Sequence, residues 1–282
     1  MEKKRRKTLA KALTIAGSDP SGGAGIEADI KTMTAHKVYA LCAITAITCQ
    51  NSKGITGIME VSPGILEGQL EAVFSDIFPD AVKIGMVYSA PLIRVLGKIL
   101  KKYEPKNIVL DPLMAATTGK DLLNKEALEA LKEDLLPQAD LITPNLPEAE
   151  VLSKRPIQTE ADREEAGKIL FDLFGAAVLI KGGHQEDRAD DLFYDGRDFT
   201  WFRGPRIENP NTHGTGCTLS SAIASNLAKG KPLKQSILEG KNFLSMAMGS
   251  MLDLGEGSGP LDHLFAIDGN YPKIEDLSIY LK

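Results

Sequence analysis

The sequence predicts an α/β protein with a mostly parallel central sheet, helices on both faces and a short antiparallel hairpin at one edge. Short apolar runs alternate along the chain with longer amphipathic runs, which is the order expected when helices cover both faces of a parallel sheet. The rhythm changes once, where two alternating runs flank an Asp-Gly turn and indicate antiparallel pairing.

Six strand candidates are apolar over most of their length, as expected of strands buried on both faces. They are residues 13–17, 39–48, 81–86, 107–112, 140–145 and 176–183. Glycines and polar residues follow each of them. Because ligands bind beyond the carboxyl ends of the strands in open parallel sheets, we expect the site at that edge.

The helix candidates carry apolar residues three and four positions apart, with charged residues on the opposite face. They are residues 62–78, 89–103, 124–136, 159–174, 217–230 and 232–252. A glycine-rich turn at residues 17–31 leads from the first strand into a further helix, and the predicted hairpin spans residues 190–207 around Asp195-Gly196.

The elements are predicted to form one domain over residues 1–282, because the chain contains neither a long Pro, Ser or Gly linker nor a repeat of solenoid period. Residues 1–8 are basic and are expected to be a disordered, solvated terminus. The polar tail, residues 266–282, receives no assignment.

Composition excludes several classes of protein. The chain has 33 Lys and Arg against 38 Asp and Glu, a net charge of −5, so it lacks the positive excess of a nucleic-acid-binding domain. No apolar run is long enough to cross a bilayer, and the amino terminus does not resemble a secretory signal. We therefore predict a cytoplasmic protein with reduced cysteines and neither nucleic acid nor membrane as partner.

The glycine-rich turn at residues 17–31 predicts close approach of a ligand to backbone amides at a helix start. It also matches a dinucleotide-binding fingerprint, but no acidic residue follows about twenty positions later, where that fingerprint requires one. Asp29 shares the inward face of the helix with Ile26 and Met33. Its carboxylate is either a ligand contact or a first-turn acid satisfied by neighbouring amides, and the spacing alone does not decide between these.

Asn145 and Glu148 also have two interpretations. Their spacing, with Pro147 between them, is typical of a capping box, and spacing alone favours that structural role. Alternatively, both oxygens face a divalent cation such as Mg²⁺, to which Asp111 at the end of the neighbouring strand would add negative charge.

The segment from Gly214 to Cys217 is the sharpest signal in the sequence. Gly214 and Gly216 precede a helix with an apolar face, so consecutive amides should point at an anion with the helix dipole behind them. Such a hole stabilises the charge of a phosphoryl group in transfer. Cys217 at the helix start is expected to have a lowered thiol pKa and is a candidate base.

These motifs together resemble the hydroxymethylpyrimidine and hydroxymethylpyrimidine phosphate kinases of thiamine biosynthesis, within the ribokinase-like superfamily. The resemblance extends from about residue 13 to 260 and rests on residues 17–32, 46–54, 83–86, 110–114, 141–150, 180–184 and 211–224. It implies a three-layer sandwich that transfers the γ-phosphoryl of ATP, with Mg²⁺, to the pyrimidine alcohol and then to its monophosphate.

The resemblance also implies roles for individual residues. The positions that match the pyrimidine pocket are Gly17, Asp29, Gln50 and Met86. Those that match the magnesium and phosphate site are Asp111, Asn145 and Glu148, and those near the nucleotide are Lys181, Gly182 and Thr212. Gly214, Thr215, Gly216 and Cys217 match the catalytic anion-hole loop, with Cys217 where many sugar kinases of the superfamily carry an aspartate base.

Three alternative functions remain open at this stage. Pyridoxal or pyridoxine kinases of the same superfamily include members very similar to this subgroup, and a few contacts can decide between two such rings. A catalytically silent pyrimidine sensor and a dinucleotide oxidoreductase are the others; the first would not need Cys217, and the second would bind NAD. A homodimer is expected from base rates, and residues 117–120 are a candidate nucleotide-closing loop.

Overall fold

The computed structural model describes residues 8–114, 123–183 and 188–269. The basic residues 1–7, the candidate closing loop at 117–120, His184 of the 180–184 motif and residues 270–282 of the tail lie outside these ranges.

All strands of the described residues form one sheet, whose order is β3-β2-β1-β4-β5-β6-β7-β8-β9. The strands are β1 Lys11–Ser18, β2 Tyr39–Asn51, β3 Gly54–Glu60, β4 Ala81–Ile84, β5 Ile108–Leu110, β6 Leu141–Ile142, β7 Ala177–Ile180, β8 Asp191–Tyr194 and β9 Phe199–Phe202. The six central strands of this order, β2-β1-β4-β5-β6-β7, are parallel. The mostly parallel sheet and the antiparallel edge hairpin β8–β9 are therefore confirmed.

The sequence analysis missed one strand. β3 runs antiparallel to β2 and forms the other edge of the sheet. Its sequence contains two glycines, Gly54 and Gly57, and all its residues are at least partly exposed. It therefore shows neither the uniform apolarity of a buried strand nor a clear alternation of apolar and polar residues.

Eight α-helices of the described residues pack on the two faces of the sheet. They are α1 Gly25–Ala35, α2 Pro63–Asp76, α3 Ala90–Tyr103, α4 Lys125–Ala130, α5 Leu146–Ser153, α6 Glu160–Phe174, α7 Thr215–Ala228 and α8 Leu233–Gly249. Helices α1, α7 and α8 cover one face, and α2 to α6 cover the other. The candidate helix at 124–136 is shorter than expected: it becomes a π-helix over Leu131–Leu135, next to a 3₁₀ turn that contains Pro137, whose missing N–H prevents a regular α-helical end.

The central strands bury side chains on both faces, which explains their apolar sequences. In β5, Ile108 and Leu110 pack into the core under helices α2 to α6, whereas Val109 packs with Leu219 and Ile223 of α7 on the opposite face. Side chains alternate across a strand, so a strand between two helix layers needs apolar residues at every position. Within the described residues, no helix is both long and apolar enough to span a bilayer.

Candidate active site

A large cavity, of about 1650 Å³, opens at the carboxyl ends of the parallel strands. All but two of the predicted site residues line it: Gly17, Gln50, Met86, Asp111, Asn145, Glu148, Lys181, Thr212, Gly214, Thr215, Gly216 and Cys217. Residues that are up to 200 positions apart thus meet because parallel strands place all of their carboxyl ends at one edge. The exceptions are Asp29 and Gly182.

The amino terminus of α7 points its backbone amides into this cavity. Gly214 caps the helix with a left-handed backbone (φ 82°), and a Cβ there would stand 1.9 Å from the carbonyl oxygen of Gly23. Only glycine fits this close approach. The first-turn amides of Gly216 and Cys217 have no partners within the helix, so they can donate to an anion in the cavity.

Asp111 and Lys181 form an ion pair next to that helix end. Lys181 Nζ lies 2.6 Å from Asp111 Oδ1, which also accepts a hydrogen bond from Thr143 Oγ1 at 3.0 Å. Asp111 Oδ2 would stand 2.9 Å from a Cβ on Gly216, so the carboxylate borders the amides of α7. Burial lowers the pKa of Lys181, but Asp111 and Glu148 outweigh it and the pKa is raised, which keeps this lysine cationic.

Glu148 forms the capping box expected from its spacing, and its side chain borders the cavity. Its backbone N–H donates to Asn145 Oδ1 at 2.9 Å and its Oε2 accepts from the Asn145 N–H at 2.8 Å, which confirms the capping box. The same side chain lines the cavity. Burial raises its pKa to about 7, with nearby Lys181 opposing this and Asp111 adding to it. A nearby cation would therefore favour the ionised form of Glu148.

We expect a pH-dependent stability that depends on Glu148. The folded protein keeps the Glu148 proton up to about pH 7, whereas the unfolded chain releases it near 4.5, so the free energy of unfolding falls as pH rises between these values. Glu148→Gln retains the capping box but cannot ionise. Urea unfolding without nucleotide or magnesium measures the free energy of unfolding of both proteins. The difference between variant and wild type should shift in favour of the variant by about 2 kcal/mol from about pH 5 to pH 8. Parallel pH profiles for the two proteins would contradict the shift.

The donor set fits a magnesium ion that is shared with substrate phosphates. Among the described residues, no group of three or more His, Cys, Asp and Glu side chains is arranged to hold a metal alone. Asp111 and Glu148 nevertheless face one cavity beside a lysine and an anion-binding helix end. Mg²⁺ is usually held by one or two carboxylates, waters and substrate phosphates, which is what this set offers.

Cys217 lies in the first turn of α7 and lines the cavity, but the expected lowering of its thiol pKa is wrong. Burial raises the pKa above its ordinary value of 9.0; Lys83 and the Gly25 N–H oppose this, and Asp29 and Asp111 add to it. The sequence shows the helix start but not the two acids that face the thiol from β5 and α1. In the free protein at pH 7, the Cys217 thiol is therefore in its neutral S–H form.

Asp29 lies behind the cavity and does not line it. The side chain is fully buried, and it accepts hydrogen bonds from Thr14 Oγ1 at 2.5 Å, Lys83 Nζ at 2.7 Å and Ser221 Oγ at 2.6 Å. The acid is thus satisfied by side chains of other elements and not by the neighbouring amides that the structural alternative expected. A direct contact between Asp29 and the substrate, as implied by the resemblance, does not agree with this position.

Gly182 also lies in the wall of the site. Its N–H donates to Asp191 Oδ1 at 2.9 Å, and a Cβ on it would stand 1.9 Å from the Asp190 carbonyl oxygen, whereas the adjacent Gly183 lines the cavity and has open space around it. The implied contact between Gly182 and the nucleotide therefore does not match its position.

The two adjacent glycines offer a matched pair of substitutions. Gly182→Ala should lower the free energy of unfolding by about 1–3 kcal/mol, because the β7 end must move away from the Asp190 backbone. Gly183→Ala should be close to neutral. Urea unfolding of both variants measures the difference, and equal stabilities would show that the close approach at Gly182 is not needed.

The sequence analysis missed Asp19 and His213, which also line the cavity. Asp19 accepts hydrogen bonds from the N–H groups of Ser21 and Ala24, each at 2.9 Å, and its Oδ2 lies 2.8 Å from His213 Nε2. Burial raises the pKa of Asp19, but hydrogen bonds from His213 and Ser21 outweigh it and lower the pKa to about 2. An Asp two residues before Ser in a turn after a strand is a local signal for Asp19; the pairing with His213 has no signal in the sequence.

A three-layer α/β fold with a glycine-capped helix end, a lysine and two acids at the strand ends defines a ribokinase-like phosphotransferase. A family model described as phosphomethylpyrimidine kinase matches residues 19–262. The hydroxymethylpyrimidine/phosphomethylpyrimidine kinase of Rhizobium meliloti is 46% identical over 256 residues, 89% of this chain and 96% of that protein. The chain belongs to the phosphomethylpyrimidine kinase family.

Further similarities lie in longer proteins and in solved structures. The thiamine biosynthesis bifunctional protein of Geobacter sulfurreducens is 45% identical over 91% of this chain, which spans 52% of that protein. The phosphomethylpyrimidine kinase of Clostridium difficile 630 superposes with a TM-score of 0.77 at 43% identity, over 84% of this chain and 98% of that one. The pyridoxal kinase of Staphylococcus aureus in complex with AMP-PCP gives a TM-score of 0.85 at 34% identity, over 94% and 97%.

Proposed function

We propose that this kinase transfers the γ-phosphoryl of ATP to 4-amino-5-hydroxymethyl-2-methylpyrimidine and then to its monophosphate, in thiamine biosynthesis. The observation that carries the proposal is the common cavity of Gln50, Met86, Lys181 and the α7 amino terminus. A heteroaromatic alcohol held by the first two residues would have its hydroxyl near the amides that stabilise a transferring phosphoryl group. The names of the family and of the R. meliloti relative support this choice of substrate.

In the pyrimidine half of the cavity, the Met86 side chain supplies an apolar surface. Met86 is 9% exposed, and its Cε would stand 2.4 Å from a Cβ on Gly17, so glycine there leaves room for the thioether. A thioether packs well on a ring face. In the proposal, Gly17 and Met86 hold the ring and Gln50 hydrogen-bonds to it. The thiolate form of Cys217 accepts the proton of the substrate hydroxyl and becomes the thiol.

The nucleotide half of the cavity has Lys181 and Thr212 on its walls. Lys181 would bind the phosphates as a point charge, and the amides of Gly216 and Cys217, which follow Thr215 at the helix start, would bind the transferring group. Asp111 and Glu148 would hold Mg²⁺, with Asn145 fixing Glu148 through the capping box. When bound, the ion would neutralise the phosphate charge that these two carboxylates alone would repel.

Pyridoxal kinase activity is the second candidate, because the structure of the S. aureus pyridoxal kinase superposes over almost the whole chain. The two functions are separated by offering hydroxymethylpyrimidine, its monophosphate and pyridoxal in parallel with ATP and Mg²⁺ and resolving the products by mass. We expect the pyrimidine mono- and diphosphates as the main products. Faster phosphorylation of pyridoxal would overturn the assignment, and binding of the pyrimidine without product would indicate a sensor.

The expected cytoplasmic location and the homodimer remain predictions from the sequence. Light scattering of the purified protein would measure the oligomeric state directly. A monomer at micromolar concentration would contradict the expectation of a dimer.

A further inference from the structure

Asp19 and His213 face Gln50 across the pyrimidine half of the cavity. His213 Nε2 lies 2.8 Å from Asp19 Oδ2 and 3.0 Å from Gln50 Nε2. The Asp19 side chain is 3% exposed and that of His213 is 12% exposed. The pair is thus largely shielded from water and in contact with a residue to which the proposed function gives substrate binding.

The contact with Asp19 decides which ring nitrogen of His213 carries a proton. Asp19 Oδ2 already accepts hydrogen bonds from the N–H groups of Gly23 at 3.2 Å and Ala24 at 2.9 Å. A carboxylate only accepts, so His213 Nε2 must carry hydrogen and donate to it. The amide group of Gln50 that meets the same nitrogen must then be an acceptor, because two N–H donors would repel each other.

Thr48 imposes the same condition on the other end of the amide. Thr48 Oγ1 donates its single hydrogen to the Ser18 carbonyl oxygen at 2.8 Å, and it also lies 3.2 Å from Gln50 Oε1. With that hydrogen used, Thr48 Oγ1 can only accept from Gln50. A half turn of the Gln50 amide lets its nitrogen donate to Thr48 Oγ1 and lets its oxygen share the single His213 Nε2 hydrogen with Asp19 Oδ2. Such amide orientations follow from the hydrogen-bond network.

We infer that Asp19 and His213 are positioning residues that hold the Gln50 amide with its oxygen toward His213 and its nitrogen toward Thr48. Thr48 then takes one N–H of Gln50, and the second N–H donates into the cavity that Gln50 lines. The substrate group that fits this donor is an unprotonated ring nitrogen. The inference deepens the proposed function and rests on it for the identity of the ring.

Kinetics of two His213 variants test the role. His213→Ala removes the donor that fixes the amide and should raise KM for hydroxymethylpyrimidine about tenfold, the equivalent of one lost hydrogen bond. The effect on kcat should be smaller, and KM for ATP should not change. His213→Gln places an N–H₂ near the position of the ring Nε2 and should restore KM in large part. Equal KM values for the wild type and His213→Ala would overturn the inference. A His213→Gln variant that thermal unfolding shows to be folded, but whose KM is no lower than that of His213→Ala, would overturn it as well.

Nuclear magnetic resonance tests the orientation without any turnover. The Gln50 side-chain N–H₂ signals, assigned by their loss in Gln50→Glu, should show nuclear Overhauser effects to the Thr48 methyl group. Effects to the His213 ring instead would overturn the inference. If the wild type phosphorylates none of the pyrimidines, the proposed function fails, but this measurement still decides how the amide is oriented.

Discussion

Cys217→Ala is expected to lower kcat for ATP-dependent phosphorylation of hydroxymethylpyrimidine by about 10²- to 10⁴-fold, the usual contribution of a positioned general base. Cys217 lies at the first turn of α7, where the transferring group and the substrate hydroxyl should meet. Steady-state kinetics with saturating ATP and Mg²⁺ measure the loss. KM for ATP should change little, because the proposed nucleotide contacts, Lys181, Thr212 and the backbone amides of α7, remain in the variant.

Two control variants separate the chemistry of the thiol from its volume. Cys217→Ser keeps the shape but cannot serve as a comparable base, so it should be as slow as the alanine variant. Cys217→Asp restores a base and should recover part of the rate. Wild-type rates in both the alanine and the serine variants, with unfolding temperatures unchanged, would show that Cys217 accepts no proton.

The pH profile follows from the direction of the thiol shift. Burial and the two nearby acids raise the thiol pKa above 9.0 in the free protein, and only the thiolate can accept a proton. The kcat/KM of the wild type should therefore rise with pH across the neutral range and still be rising at about pH 9. Cys217→Asp should lose that dependence, because an aspartate is already ionised there.

The sequence predicted most of the segments that line the cavity, because these segments are marked by local patterns. Gly214 and Gly216 before a helix, and Asn145 three residues before Glu148, are signals within four residues, and the structure places them on one cavity. The order of strands and helices then brings these segments to the same edge of the sheet. No knowledge of side-chain packing is needed for either step.

The sequence analysis did not predict the contacts between distant segments. The thiol pKa depends on Lys83, Asp29 and Asp111, which reach Cys217 from three other elements. Asp19 and His213 are 194 positions apart and meet only because the first loop packs against the helix cap of α7. Periodicity gives the inward direction of Asp29, but no local pattern pairs it with Lys83, which is 54 positions away on another element.

The buried pair of Asp29 and Lys83 should have the largest effect on stability. Both side chains are 0% exposed, and their charged atoms are 2.7 Å apart. Burial lowers the pKa of Lys83, but Asp29 outweighs it and the pKa is raised, so the lysine stays charged inside the protein. Asp29→Asn keeps the shape but removes the counter-charge, and we expect it to lower the free energy of unfolding by about 3–5 kcal/mol.

A double-mutant cycle with Lys83→Met measures the coupling. Asp29→Asn leaves the buried ammonium without a counter-ion, and Lys83→Met leaves the carboxylate without one, whereas the double variant leaves neither charge. Its loss of stability in urea unfolding should therefore be smaller than the sum of the single losses by more than about 1 kcal/mol. Additive losses would mean that the hydroxyls of Thr14 and Ser221 stabilise the carboxylate by themselves. The cluster joins β1, α1, β4 and α7 through Thr14, Asp29, Lys83 and Ser221. Breaking it should therefore loosen the support of the two loops that precede α1 and α7 and border the cavity.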